Sequence, residues 1–386
     1  MFILGESDVR KALDPLQCLK VTKTALISLV DKKGVVPSRL ALSYPNNPLE
    51  TTRVPSSASD TKDTAEDWTL IKPAAYYYSN GDHNADTGTD KNEKNRSSNL
   101  PNKVTMGLKV VSIRANNPSH GLPLVPATIL LVDAPSGTVN TVLAGTYITA
   151  MRTSAGPALA VQAFQPNVQH LVVFGAGAQA ECHIQLMELA LQRRIPKITI
   201  VNRTLERAQQ LQQKIFEQRS EDGEGILGTV DTVSLNDKLA LADALSSADV
   251  VAATTNTITP LWNEDTNMTL KRGCLITGIG SYTPEMQEIP PFVVDRSVVV
   301  IDTPEALQVG DLKHLRISSI SDTSYPIMLA GHAFQDPKAV LQMQEVAQKD
   351  YIVYKAVGTA IQDVLQAEAV VARARELELG QEIDMG

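Results

Sequence analysis

The pattern that most constrains this fold is an alternation of apolar, strand-like runs with helix-like runs that begins near residue 147. A helical segment comes first, and helical segments separate most of the strand-like runs that follow: HLVVF, KITIV, GTVDTVS, DVVAATT and CLITGIG. Strands that alternate with helices form parallel sheets through right-handed crossovers. We therefore predict an α/β fold with a doubly wound parallel sheet and helices on both faces.

The chain outside this region predicts a second domain. Three early runs have the composition of strands, and the last of them contains a Pro-Ser-Gly turn typical of a hairpin: WTLIKPAAYYY, GLKVVSI and ATILLVDAPSGTVNTVL. The final segment, 339–379, is predicted to be helical and to pack against this early β-rich part. Residues 151–325 would then form the parallel-sheet domain, inserted in a second α+β domain made of 1–150 and 326–386.

Two polar segments interrupt the early strands. Residues 80–99 contain a single apolar side chain, too little apolar surface to offset the entropy lost on ordering, so we predict a mobile loop. The stretch 54–67 is a milder insertion of the same kind. An insertion without function is the simplest interpretation, since long surface loops cost little stability.

Composition narrows the class of partner. With 386 residues, 43% of them hydrophobic, the chain can bury the cores of two domains. A net charge of -8 excludes general electrostatic attraction to nucleic acid or an anionic membrane. The three cysteines are far apart, and neither a signal peptide nor a membrane-spanning run is visible. We therefore expect a cytoplasmic protein with a small-molecule substrate. No metal site is expected, because the histidines are scattered along the sequence.

A glycine motif follows the first strand of the alternating region. Residues 175–180 read Gly-Ala-Gly-Ala-Gln-Ala and fit G-x-G-x-x-[GA] between an apolar strand and a helix. In this motif the first glycine allows the tight turn, and the second lets the backbone approach a pyrophosphate at the helix N-terminus. A tight turn without a ligand is the alternative. The motif predicts a Rossmann-type site whose cofactor-binding residues are Gly175, Gly177, Ala178, Gln179 and Ala180.

The end of the next strand indicates which nicotinamide cofactor is bound. An NAD site places an acidic residue there to bind the ribose hydroxyls, but this chain has Asn202, Arg203 and Thr204. Arginine can pair with a 2′-phosphate, and threonine can donate a further hydrogen bond. We predict NADP(H), the alternative being that Arg203 is a solvated loop residue.

Several motifs together resemble the ornithine cyclodeaminase/mu-crystallin family. They occur in family order along most of the chain: GLKVVSI (107–113), GTYITAMRTSAGPALA (145–160), VVFGAGAQA (172–180), VNRTLERA (201–208), GIGSYTPEMQEI (278–289), IDTPEALQVGDL (301–312) and VGTAIQDVLQA (357–367). The resemblance implies a homodimer, a substrate domain built from both chain ends, a Rossmann domain between them and an active site in a cleft. Family activities include ornithine cyclisation, reduction of cyclic ketimines, amino-acid dehydrogenation and non-catalytic ligand binding.

The same resemblance assigns roles to individual residues. Arg39, Lys109 and Arg152 would bind the α-carboxylate of the substrate. Residue chemistry agrees, since Lys109 lies on an apolar strand face and Arg152 on an apolar helix stripe, where a charge is costly without an anion. The alternatives are a surface lysine for Lys109, a structural ion pair for Arg152 and a loop charge for Arg39. Predicted cofactor contacts are Thr153, Thr254, Gly278, Ile279 and Gly280.

The chain departs from the cyclodeaminase pattern at one important place. Cyclodeaminases carry an aspartate in a Gly-Gly-Asp segment that handles the substrate amine, whereas this chain has Gly280-Ser281-Tyr282. Ornithine cyclodeamination is therefore not expected, and the loop resembles the ketimine-reductase branch. Lys72 is a second departure, at a position where an apolar residue is expected. It would add positive charge for a second acidic group, or be solvated.

These observations predict an NADPH-dependent reductase of a C=N bond next to a carboxylate, such as a pyrroline- or piperideine-2-carboxylate. Lys109 and Arg152 would position the substrate, and Tyr282, Lys109 or a water would donate the proton. One alternative is an amino-acid or opine-type dehydrogenase. The other is a non-catalytic protein that retains NADPH and binds a small ligand.

Overall fold

A computed structural model describes residues 1–44, 67–79, 103–221, 228–264, 268–317, 319–320 and 324–385. The predicted loop at 80–99 and nearly all of the insertion at 54–67 lie outside these residues. No helix in the part that is described combines the length and apolarity needed to cross a membrane. The chain divides into two compact units, the first made of Met1–Gln17, Thr24–Thr149 and Thr359–Gly386, the second of Cys18–Lys23 and Ala150–Gly358.

The first unit is built on a mostly antiparallel sheet. Its strands are β1 (Phe2–Leu4), β2 (Gly34–Val35), β3 (Leu40–Tyr44), β4 (Asp67–Tyr77), β5 (Val104–Ile113), β6 (Ala127–Val132), β7 (Val139–Ala144) and β16 (Gln381–Glu382). Their order is β16-β1-β7-β6-β5-β4-β2, with β3 also paired to β4. The helices associated with this unit are α1 (Glu6–Ala12), much of α2 (Pro15–Val30) and α11 (Ala360–Glu376).

The two faces of this sheet differ in burial. Along β5, Thr105, Gly107, Lys109 and Val111 are buried, and the residues between them are only half-buried. Successive side chains of a strand point to opposite faces, so one face is covered and the other partly exposed. Helix α11 packs on β4, β5 and β6 and supplies the cover.

The second unit is built on a parallel sheet. Its strands are β8 (His170–Phe174), β9 (Lys197–Asn202), β10 (Thr229–Ser234), β11 (Val250–Ala253), β12 (Leu275–Gly278), β13 (Ser297–Ile301), β14 (Ile327–Leu329) and β15 (Tyr351–Lys355). Their order is β10-β9-β8-β11-β12-β15-β13-β14. The helices associated with it are most of α3 (Thr146–Phe164), α4 (Ala178–Leu191), α5 (Leu205–Glu221), α6 (Lys238–Ser247), α7 (Pro291–Asp295), α8 (Gly310–Lys313), α9 (Ala330–Gln335) and α10 (Pro337–Val346). The predicted α/β class with a Rossmann-type parallel sheet is confirmed.

The C-terminal segment differs from the sequence prediction. Residues 339–379 were expected to be helical throughout, but Tyr351–Lys355 forms β15, a fully buried strand between β12 and β13. A short apolar run has no periodicity that distinguishes a buried strand from a buried helix, which explains the error. Residues 326–358 consequently lie in the second unit rather than with the C-terminal part of the first.

Candidate active site

The glycine motif forms the turn between β8 and α4. Gly175 has a φ of +111°, and a Cβ there would lie 2.7 Å from Thr254 Oγ1, so a side chain is excluded by both conformation and space. A Cβ at Gly177, the N-cap residue of α4, would meet no atom within 4 Å. This open space lies at the N-terminus of α4, and the fully buried Ala180 allows close helix packing. This turn fits the pyrophosphate of a dinucleotide.

The end of β9 lies at the same edge of the sheet, because β9 pairs with β8 in parallel. Asn202 Nδ2 donates a hydrogen bond to the Thr204 carbonyl at 2.7 Å, which tightens the turn after the strand. The side chains of Arg203 and Thr204 are exposed. The structure thus places the predicted cofactor-selecting residues one strand away from the glycine turn, in solvent-accessible positions.

Thr254 closes the other side of the glycine turn, directly after β11. Its backbone amide and its hydroxyl both donate to the Phe174 carbonyl, at 3.0 and 2.7 Å. Phe174 is the last residue of β8 and immediately precedes Gly175. Thr254 therefore joins the ends of two adjacent strands at the point where the glycine turn begins.

A buried carboxylate organises the loops that follow β11 and β12. Glu288 accepts hydrogen bonds from the Thr255 amide at 2.7 Å, the Thr255 hydroxyl at 2.8 Å and the Gly280 amide at 2.6 Å. A Cβ on Gly280 would lie 1.4 Å from the Thr255 carbonyl oxygen, so the two loops are in tight contact. Of the predicted cofactor residues Gly278, Ile279 and Gly280, Gly280 is thus held by Glu288, a residue that the sequence reasoning missed, while the Ile279 amide donates to the Ala253 carbonyl and the Gly278 carbonyl accepts from the Ala356 amide.

Glu288 belongs to a buried charged cluster. Asp311 Oδ1 accepts from the amides of Glu288 and Ile289 at 2.7 and 3.0 Å, and Asp311 Oδ2 lies 2.9 Å from Lys355 Nζ. Burial raises the pKa of Glu288, Lys355 opposes that shift, and Asp311 adds to it. The sequence signal was a glutamate just before an apolar run, IPPFVV, but its partners Thr255 and Gly280 precede it by 33 and 8 positions.

Tyr282 follows these loops. Its side chain is half-buried, and burial raises its pKa to about 12. A phenol with that pKa stays protonated at neutral pH and can donate a hydrogen bond, but it gives up its proton reluctantly.

Arg152 lies on α3 within the second unit, with Thr153 beside it half-buried. The side chain of Arg152 is 5% exposed and lies against the turn at Gly358, where a Cβ would come within 2.3 Å of Nη1. The Asp302 carboxylate holds that turn, accepting from the Gly358 amide at 2.7 Å. Burial and Asp302 raise the pKa of the neighbouring Tyr354, whereas Arg152 lowers it. Arg152 therefore lies in a buried setting that contains a carboxylate.

Lys109 lies on the covered face of the first unit. Its ammonium donates to Asp363 Oδ1 on α11 at 2.7 Å and to Thr149 Oγ1 at 3.2 Å, and its side chain has no exposed surface. The surface-lysine alternative is therefore wrong. Arg39 is half-buried in the connection between β2 and β3. Lys72, on β4, is 6% exposed, so it is not a solvated lysine.

Comparisons with known proteins agree with this architecture. An uncharacterized cyclodeaminase of Dictyostelium discoideum is 27% identical over 406 residues, spanning both chains completely. A Delta(1)-pyrroline-2-carboxylate reductase of Bacillus cereus is 28% identical across 76% of this chain and 86% of its own. The solved structure of Thermococcus litoralis Delta(1)-pyrroline-2-carboxylate reductase in complex with NADH and L-proline has a TM-score of 0.73 at 21% identity, covering 99% of this chain and 100% of the other. That likeness shows a shared fold.

A family model, the ornithine cyclodeaminase/mu-crystallin family, matches residues 97–378. The match covers most of the chain, including the glycine turn, the Glu288 loops and both the Lys109 and Arg152 positions. This chain therefore belongs to the ornithine cyclodeaminase/mu-crystallin family.

Proposed function

We propose that this protein is an NADPH-dependent reductase of a C=N bond adjacent to a carboxylate, with cyclic ketimines as substrates. It is an oxidoreductase that uses a nicotinamide dinucleotide and acts on a small imino or amino acid. The finer assignments, to NADPH and to a cyclic ketimine, are supported by the residues at the sites described above.

The observation that carries the proposal is the loop after β12. It has Gly280, Ser281 and Tyr282 where a cyclodeaminase carries its aspartate. The buried acids that follow are unsuited to replace it, because the carboxylates of Glu288 and Asp311 are occupied by backbone amides. Without a carboxylate at that position of the loop, ornithine cyclisation with ammonia loss is disfavoured and reduction of an imine is favoured.

The residues of the chain bind and orient the substrate. When bound, the nicotinamide supplies a hydride to the imine carbon, and the electron pair of the C=N bond moves to the protonated nitrogen, giving a secondary amine and NADP⁺. Lys109 and Arg39 are proposed to bind the substrate carboxylate, with Arg152 as a further ligand; the planar guanidinium groups suit bidentate contacts. Positioning of the imine is the main contribution of the protein.

The partly exposed face of the first sheet supports a homodimer. A cross-strand row on that face is wholly apolar: Pro73 on β4 pairs with Leu108, Leu108 with Leu130, and Leu130 with Val142. All four are only half-buried. We propose that a second copy covers this row. Leu108→Glu should shift the mass measured by light scattering from that of a dimer to that of a monomer.

Turnover tests the proposed reaction. Purified protein should oxidise NADPH with Δ1-pyrroline-2-carboxylate or Δ1-piperideine-2-carboxylate, followed at 340 nm, and chromatography should identify proline or pipecolate as the product. Release of ammonia from ornithine with bound NAD would refute the reductase assignment. No turnover across the panel, with ligand binding intact, would instead indicate a non-catalytic binding protein.

The cofactor preference is tested at Arg203. Arg203→Ala should raise KM for NADPH at least tenfold and leave KM for NADH nearly unchanged, because only NADPH carries the 2′-phosphate. Arg272→Ala is the matched control, since Arg272 is 80% exposed and precedes β12 at the opposite edge of the sheet. Equal effects of Arg203→Ala on both cofactors would show that Arg203 does not contact the phosphate.

A further inference from the structure

Three side chains of the second unit form a contact between α3 and the first turn of α4. Ser154, on α3, has no exposed surface, and its hydroxyl oxygen lies 2.8 Å from His183 Nδ1 and 3.3 Å from Gln179 Oε1. His183 is one turn further along α4 than Gln179 and fully buried, and its Nδ1 lies 2.7 Å from the Gln179 carbonyl oxygen. Gln179 is the second residue of α4 and a predicted cofactor contact. The contact therefore reaches the helical turn at which a pyrophosphate would bind.

The acceptors around His183 fix the position of its proton. A carbonyl oxygen can only accept a hydrogen bond, so the short contact with the Gln179 carbonyl requires the hydrogen to be on Nδ1. Burial lowers the pKa of His183 to about 4, so the ring is neutral at pH 7 and Nε2 carries no hydrogen. Ser154 Oγ then accepts from Nδ1–H, and its own hydrogen is shared between the Ala150 carbonyl oxygen at 3.0 Å and Gln179 Oε1. His183 thus directs the hydroxyl hydrogen of Ser154 toward these two acceptors.

This arrangement orients the side-chain amide of Gln179. Its Oε1 faces the Ser154 hydroxyl, and because the amide group is planar, its NH₂ group is directed away from Ser154. Gln179 is half-buried and lies two positions after Gly177, where a Cβ would meet no atom within 4 Å. The N-cap residue Gly177 has no side chain to occupy the amides of the first helical turn. Such amides favour a phosphate, and the Gln179 NH₂ group adds a further donor to them.

We propose that Ser154 and His183 are positioning residues for the dinucleotide, which hold the Gln179 amide so that its NH₂ group donates to the pyrophosphate. This inference rests on the use of a nicotinamide dinucleotide in the proposed function, and it names the residues that orient the phosphate site. Ser154 and His183 act through Gln179 and take no part in the hydride transfer. Their contribution is to dinucleotide affinity, independent of the 2′-phosphate.

Titration of the protein with NADPH and with NADH, followed by nicotinamide fluorescence, tests this inference without turnover. Both dinucleotides carry the pyrophosphate, so Ser154→Ala and Gln179→Met should each raise Kd for NADPH and NADH alike, by about fivefold for one lost hydrogen bond. Arg203→Ala, in contrast, should weaken the binding of NADPH alone. Ser28→Ala is the matched control and should change neither Kd, because Ser28 is a buried helical serine whose hydroxyl also donates to a carbonyl of its own helix.

A double-mutant cycle separates positioning from a merely structural role. If Ser154 acts through the Gln179 amide, Ser154→Ala should change Kd less than about twofold in the Gln179→Met background. General damage to the fold would instead weaken binding equally in both backgrounds, and that result would refute the inference. An asparagine side chain has an amide nitrogen where histidine has Nδ1, so His183→Asn should bind the dinucleotides nearly as wild type does and His183→Leu should bind them more weakly. Equal effects of the two His183 variants would refute the role of His183.

Binding and turnover separate failure of this inference from failure of the proposed function. If Ser154→Ala weakens both dinucleotides and no ketimine is reduced by wild type, the reductase function fails and the positioning role stands. If ketimines are reduced while Ser154→Ala or Gln179→Met binds both dinucleotides as tightly as wild type, the reductase function stands and the positioning role is refuted.

Discussion

Replacement of Glu288 by glutamine tests how strongly one buried carboxylate holds the loops after β11 and β12. Glu288 is fully buried, and its oxygens face only donors: the Thr255 amide and hydroxyl at Oε1 and the Gly280 amide at Oε2. A glutamine of the same shape must turn its NH₂ group toward one of these two sides. In either orientation a backbone N–H loses its acceptor and meets another donor.

The magnitude follows from these contacts. A hydrogen bond to a charged acceptor contributes roughly 1.5–3 kcal/mol, and a buried donor left unsatisfied costs about 1–3 kcal/mol. The loss is partly offset. Burial raises the pKa of Glu288, which shows that burying its charge is unfavourable, and a glutamine has no charge to bury. With the amide nitrogen turned toward Gly280, one bond is lost, and we expect the free energy of unfolding to fall by about 2 kcal/mol.

Urea unfolding at neutral pH measures this change, with an unchanged m value as the condition for comparison. Glu285→Gln is the matched control, because Glu285 lies on the same segment with an exposed side chain, and it should stay within about 0.5 kcal/mol of wild type. In steady-state assays, Glu288→Gln should also raise KM for the nicotinamide cofactor, since Gly280 is a proposed cofactor contact. A Glu288→Gln protein as stable as the Glu285→Gln control would refute the role of Glu288 in holding the loops.

Three further predictions concern other buried groups. Burial lowers the pKa of His183 from 6.5 to about 4, so on acidification the unfolded state takes up a proton before the folded state does. Unfolding experiments should therefore show about 3 kcal/mol of stability lost between pH 6.5 and 4. His183→Gln should make the free energy of unfolding depend less on pH in this range. Asp363→Asn removes the carboxylate beside Lys109 and should lower the free energy of unfolding, measured in urea, by about 3–5 kcal/mol. Adding Lys109→Met removes the unpaired charge and should recover much of this loss. No recovery would contradict the ion-pair explanation. Gly358→Ala places a Cβ 2.3 Å from Arg152 Nη1 at a φ of +74° and should lower both the melting temperature and kcat/KM, whereas an active, stable variant would show that the Arg152 position tolerates displacement.

The sequence by itself determined the features that depend on local pattern. The alternation of strand and helix specified a parallel sheet with crossover helices, since each element is recognised by its own periodicity. The glycine turn was recognisable because Gly175 needs a backbone conformation that other residues rarely adopt. The strand β15 was missed for the converse reason, as a fully buried run of five residues has no periodic signal.

Tertiary structure alone decided which charged residues meet. Lys109 and Asp363 are separated by 254 positions, and they form an ion pair because α11 packs on β5. Glu288 reaches the loops after β11 and β12 only because parallel strands bring their carboxyl ends to one edge. The sequence around Lys72 does not distinguish a solvated lysine from a buried one. The register of β4 with β5 places it opposite Lys109 on the covered face. Contacts of this kind depend on strand register and helix packing, which no local stretch of sequence encodes.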